Sequence, residues 1–188
     1  RGVVPSREGS LHDVLNALVW ASFPRSKRAI HERQFAVMRA HVPGDATRMP
    51  NARPREADVL AMLDEGGLVF VVGTVEARVA LERTLGSGDV EASAVEVRAR
   101  GAEVLVLGHA VLEHVAEARD GDPRAAAYVV VAGGERALAA GEDVAPVSSD
   151  ASVRPRNSSS VLRAADAALA ARVADPSELL APPSWPAV

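Results

Sequence analysis

Four residues able to do chemistry stand close together near the start of the chain: His12, Asp13, Asn16 and Trp20, within LHDVLNALVWASFPRSK from Leu11 to Lys27. At about 100° of turn per helical residue they share one wedge, and Leu11, Val14, Leu15, Leu18 and Val19 take the side beside it. Such a wedge suits the wall of a cleft. Imidazole and carboxylate move protons; the amide and the indole N–H hold a polar ligand. His12 falls in the first turn, where the positive end of the helix dipole favours a neutral ring. A neutral imidazole accepts a proton or ligates a metal. Asn16 lies at i+4 from His12, on the same stripe. Asp13 points about 100° away, so it supports His12 only from behind. It also completes Ser10-x-x-Asp13, a capping-box pattern, and a purely structural role competes with the catalytic one.

A second histidine repeats the arrangement. Glu103 to Leu107, EVLVL, reads as a strand, Gly108 turns the chain, and His109 opens a helix to about Ala118. His109, Glu113 and Glu117 form an i, i+4, i+8 stripe on it. In α/β proteins, sites gather at the carboxyl ends of strands. His109 is therefore expected to share a cleft with His12, with Glu113 orienting a ring or joining both histidines as a metal ligand. His and carboxylate ligands suit zinc, manganese or iron(II). The same His–Glu spacing also occurs as an ordinary surface pair.

Other charged groups are candidates with bland alternatives. Asp58 is a candidate catalytic carboxylate; six residues from Asp64 on one helix, the two face different directions. Arg55 and Asp58, three apart, can simply pair. Asp64 and Glu65 lie at a helix end where the dipole disfavours them, which predicts solvent exposure or a bound cation. Arg25, Lys27 and Arg28 crowd the start of the second helix, which predicts a bound anion or a solvated turn. Lys27 and Arg55 join Asn16 and Trp20 as candidate substrate-binding residues. His31 and His41 are expected to face solvent, and His114 projects away from the stripe.

The elements that must position these groups follow from periodicity and punctuation. Helices are expected at Leu11 to about Ser22, Arg25 to His41, Arg55 to Asp64, Thr74 to Leu85, Asp89 to Arg100 (where a strand is the alternative), from His109, and Val161 to Val173. Gly66 is expected as a left-handed C-cap of the third. Strands are expected at Leu68 to Val72, Glu103 to Leu107 and Ala126 to Val131. The continuous run LVFVV predicts burial on both faces. Val42 to Arg55 reads as a loop, Glu142 to Ser160 as a mobile one. The tail, with Pro182, Pro183 and Pro186, is expected to lie along the body, pinned by Trp185. The expected fold is α/β or α+β: one domain over residues 1–188, a three- to four-stranded sheet, flanking helices and a helical N-terminal layer.

Composition narrows the function. The chain has 188 residues, a net charge of −4, 24% charged residues and no cysteine. Disulfides, thiolate catalysis and cysteine zinc sites are excluded. The charge gives no bias toward nucleic acid or an anionic membrane. No apolar run reaches the roughly 18 residues of a membrane span. Neither G-x-G-x-x-G, G-K-[ST] nor G-x-S-x-G occurs. A bacterial cytoplasmic protein with a small polar ligand is the expectation.

Taken together, HDVLNALVWASFPRSK, READVLAMLDEGG, GHAVLEH, ADAALAARV and PPSW resemble the bacterial domain of unknown function family numbered 3025. The resemblance runs from about Gly9 and rests on His12, Asp13, Asn16, Trp20, Pro24, Lys27, Arg55, Asp58, Asp64, Glu65, Gly108, His109 and Glu113. Leu63 and Ser184 depart from the pattern, as does Gly133 to Ser160. It implies a further N-terminal segment before Arg1, and no activity. The residues themselves favour a small enzyme in which His12 and His109 are acid/base groups or metal ligands, acting hydrolytically on a small polar substrate. The competing class is a binding or interaction protein in which these blocks are structural.

Overall fold

The computed structural model describes residues 6–42, 53–121, 123, 125–132 and 158–179. In chain order the elements are α1 (Leu11–Ser22), α2 (Pro24–His41), α3 (Arg55–Gly66), β1 (Gly67–Val72), α4 (Val75–Gly86), α5 (Val90–Ala99), β2 (Glu103–Val106), α6 (His109–Ala116), β3 (Ala126–Val131), α7 (Ser158–Ala174) and α8 (Pro176–Leu179). Helices and a small mixed sheet make this an α+β fold. The sheet order is β2-β1-β3, with β1 antiparallel to β2 and parallel to β3.

β1 is the centre of the packing. Strand side chains alternate between faces. Val69 and Val71 enter a core with Ile30 of α2, Leu60 and Leu63 of α3, Tyr128 of β3, and Ala165, Leu169 and Val173 of α7. Phe70 and Val72 enter a second core with Ala77 and Leu81 of α4 and Val129 of β3. Both faces of β1 are covered, as its unbroken apolar run requires. Leu63 and Leu169 are fully buried, and truncating either to alanine costs about 2–5 kcal/mol.

Two glycines set the geometry of the site. α3 continues through Gly66 and passes straight into β1, so Gly66 is helical and not the left-handed cap expected; the positive-φ glycines described are Gly9, Gly88, Gly101 and Gly121. The chain needs Gly67 and Gly108 for close approach instead. A Cβ on Gly67 would stand 2.4 Å from the Leu63 carbonyl oxygen, and one on Gly108 would stand 2.4 Å from that of Glu65. The Gly67 carbonyl accepts from Leu107 and Gly108 N–H, both at 2.9 Å. The strand–helix turn before His109 is thereby laid directly over the last turn of α3.

α1 is seated the other way round from an ordinary amphipathic helix. Leu11, Val14 and Leu18 are exposed, and Val19 is its buried side chain. Its polar wedge turns inward instead, toward α6 and α2. α7 starts at Ser158, three residues before the expected start, and the chain is still helical at Pro176–Leu179 before the prolines. The expected loop at Glu142 to Ser160 lies outside the described residues up to 157, as do most of the loop after Val42 and the tail with Trp185.

Candidate functional site

The turn of α1 and the turn of α6 meet at their histidines. His12 Nε2 lies 3.1 Å from His109 Nε2, across 97 residues of sequence. The rings stand edge to face, 4.5 Å between centroids. Behind His12, Glu113 Oε2 lies 3.2 Å from Nδ1, and the Arg119 guanidinium stands 3.5 Å from the other oxygen of Glu113. Beside His109, Glu65 Oε2 lies 3.3 Å from the same Nε2 that faces His12.

This network assigns the protons. Glu113 accepts the His12 Nδ1–H, which leaves a lone pair on His12 Nε2. His109 then carries its proton on Nε2. That single N–H faces two acceptors, the His12 lone pair and the Glu65 carboxylate. Burial pushes the His109 imidazole below its ordinary 6.5; Glu65 opposes the shift, while Lys27 and His12 reinforce it. His109 is therefore a neutral donor at pH 7. The two rings differ in access: the side chain of His109 is 3% exposed and that of His12 34%. His12 is the ring that a solute can reach.

Next to this corner sits a second polar group. Lys27 is wholly buried, and its Nζ lies 2.6 Å from Asp64 Oδ1. The ammonium stands 5.7 Å from the Trp20 ring centroid. His31 packs edge to face on Trp20 at 5.0 Å, with Nε2 3.9 Å from Asp64. His31 remains exposed, as expected, with its ring edge on Trp20. The cation that offsets Asp64 at its helix end is an internal ammonium. Leaving either partner of such a buried pair alone is costly.

Of the two alternatives at the start of α2, a bound anion or a solvated turn, an anion is present, and it is also internal. Asp166 of α7 accepts from the main-chain N–H groups of Arg25 at 3.1 Å and Ser26 at 2.8 Å, and its Oδ1 lies 2.7 Å from the Ser26 hydroxyl. A carboxylate at a helix N-terminus satisfies free N–H groups and complements the dipole. Nothing in the local sequence marks Asp166, because its partners are 140 residues away or more.

Other expected site residues lie elsewhere. Asp13 turns away from His12 and onto Arg7, taking the main-chain N–H at 2.6 Å and the guanidinium at 3.0 Å. Those hydrogen bonds hold its carboxyl well below the usual range. Ser10 Oγ accepts from Asp13 N–H, so half of the capping box forms. Arg55 and Asp58 are exposed in the first turn of α3, about 13.5 and 9 Å along the axis from Asp64. The supporting carboxylate of His12 is Glu113, and the carboxylate facing His109 is Glu65.

Glu113 stands behind His12, on Nδ1, so it does not share an ion with both Nε2 atoms. Among the described residues no group of three or more His, Asp and Glu side chains is already placed to hold a metal ion. Three polar atoms of the site are buried without a partner: Asn16 Oδ1, Trp20 Nε1 and His109 Nδ1. Each such group costs about 1–3 kcal/mol. No curated protein and no solved structure matches the chain. A family model described as "Protein of unknown function (DUF3025)" matches residues 1–183, so that the chain belongs to the DUF3025 family.

Proposed function

We propose that the corner formed by His12, His109, Glu65 and Glu113 activates water for hydrolysis of a small polar substrate. The observation that carries this reading is the 3.1 Å approach of the two Nε2 atoms with Glu113 behind His12. His12 Nε2 takes a proton from a water molecule, and the water oxygen bonds to the substrate carbonyl carbon. Glu113 stabilises the resulting imidazolium, as an oriented carboxylate does for a histidine base. For this the His109 N–H must already be held by Glu65, which leaves the His12 lone pair free for the water before the proton moves. The imidazolium returns its proton to the leaving group as the bond to the carbonyl carbon breaks. No helix among the described residues is long and apolar enough to cross a membrane, and we assign the protein to the bacterial cytoplasm.

A panel of amides and esters of small polar acids tests this. His12→Ala is expected to lower turnover about 10²–10⁴-fold, the usual contribution of a positioned base. Absence of turnover on every substrate, or an unaffected His12→Ala variant, overturns the reading and leaves a non-catalytic binding protein.

A divalent ion in place of the shared proton is a second reading, favoured by one observation. His109 Nε2 lies 3.1 Å from His12 Nε2 and 3.3 Å from Glu65 Oε2. Ligand atoms about 2.0–2.2 Å from a tetrahedral zinc lie at similar separations from one another. Glu65, with 55% of its side chain exposed, would complete the set with the two histidines by turning inward, and Glu113 would orient His12. Metal analysis decides it: one equivalent lost in both His12→Ala and His109→Ala supports the ion, and none in the parent protein removes it.

A further inference from the structure

The stripe that carries His12 continues along α1 to Asn16 and Trp20. Both end in a polar atom that is buried and unpartnered, Asn16 Oδ1 and Trp20 Nε1. One accepts a hydrogen bond and the other donates one. They stand about 6 and 12 Å along the helix axis from His12. The polar cluster at the start of α2 leaves no comparable loose end on Ser26 or Asp166. A helix that turns such atoms inward while exposing Leu11, Val14 and Leu18 is seated for what those atoms can hold. With Val19 as its one buried apolar side chain, α1 has little apolar burial to resist local opening.

We propose that Asn16 and Trp20 recognise an amide group of the substrate, its N–H donating to Asn16 Oδ1 and its carbonyl accepting from Trp20 Nε1–H. An amide carries a donor N–H and an acceptor oxygen on the same carbon. An ester or a carboxylate offers acceptors alone and leaves Asn16 unpaired, and a buried unpaired group is what makes such sites selective. The recognised amide lies a turn or more from His12, so it is a binding group beside the bond being cut. The substrate class is an amide-bearing small molecule. This rests on the hydrolytic reading of the same site for the word substrate, and on Asn16 and Trp20 alone for recognition.

The test follows the Trp20 indole N–H by NMR, assigned with Trp20→Phe, during titration with 2-pyrrolidinone, N-methyl-2-pyrrolidinone and γ-butyrolactone. 2-Pyrrolidinone is expected to move the peak downfield with half-saturation at least about tenfold below that of the other two, the ratio equivalent to one hydrogen bond. Asn16→Leu abolishes the preference, and Asn16→Asp, which keeps the acceptor, retains it. Equal half-saturation for the three probes, no shift with any of them, or an unchanged preference in Asn16→Leu overturns the inference. His12→Ala keeps the preference. Absence of turnover by the parent protein with the preference intact therefore sinks hydrolysis alone, and absence of the preference with turnover present sinks only this assignment.

Discussion

Two of the places where polar groups are buried among the described residues are built differently. At the start of α2, the Asp166 carboxylate meets the N–H groups of Arg25 and Ser26 and the Ser26 hydroxyl. At the α1–α6 corner, one His109 N–H faces two acceptors, and Asn16, Trp20 and His109 each hold a polar atom with no partner. The first cluster joins α2 to α7, which carry a large share of the main core. The second joins a weakly seated helix to the end of a strand. A saturated cluster stabilises the fold. An unsaturated one costs stability, and it persists where a ligand or a reaction supplies the missing partners.

The largest contrast is expected from Asp166→Ala, which strands the N–H groups at the start of α2. Urea unfolding should show a loss of about 2–3 kcal/mol, the range for hydrogen bonds to a charged group. A loss below about 1 kcal/mol would place the structural joint elsewhere. A smaller effect is expected from pH. His109 binds its proton less readily when folded than at its ordinary 6.5. Below 6.5 the unfolded chain holds a proton that the folded chain lacks, so stability falls as pH drops from 6.5 toward the folded value. The slope is at most about 1.4 kcal/mol per pH unit. His109→Gln should flatten that limb, and an unchanged limb would show that His109 is not the group responsible. The smallest effect is expected from Asn16→Leu, which removes an unpaired acceptor: stability unchanged or raised by up to about 1 kcal/mol. A loss beyond 1 kcal/mol would make Asn16 structural and erase the contrast between the two clusters.

Much of this was legible before any coordinates. The run LVFVV is a strand buried on both faces because an alternating strand with no polar side has no face to give to water. Ser10 caps α1 through its own side chain, a signal read within four residues, whereas Thr74 and Asp89, expected as the first helical residues, are the caps of α4 and α5. The wedge of His12, Asn16 and Trp20 was legible for the same reason, since the helical repeat alone puts them on one stripe. What was not legible is the identity of partners across the chain. Asp13 is adjacent to His12 and bonds Arg7, while Glu113, 101 residues on, holds the ring. Gly66 looked like a cap and is helical, because the constraint at that junction is crowding by Gly108 and not a left-handed turn.

Local sequence by itself determined the elements, their caps and which side chains share a stripe, because those depend on backbone periodicity and on neighbours within a turn. Tertiary structure alone decided which stripe faces inward, which carboxylate serves which imidazole, and that the anion at the start of α2 is Asp166. Those outcomes depend on side chains distant in sequence, brought together only when β1 is enclosed and Gly108 is pressed onto the end of α3.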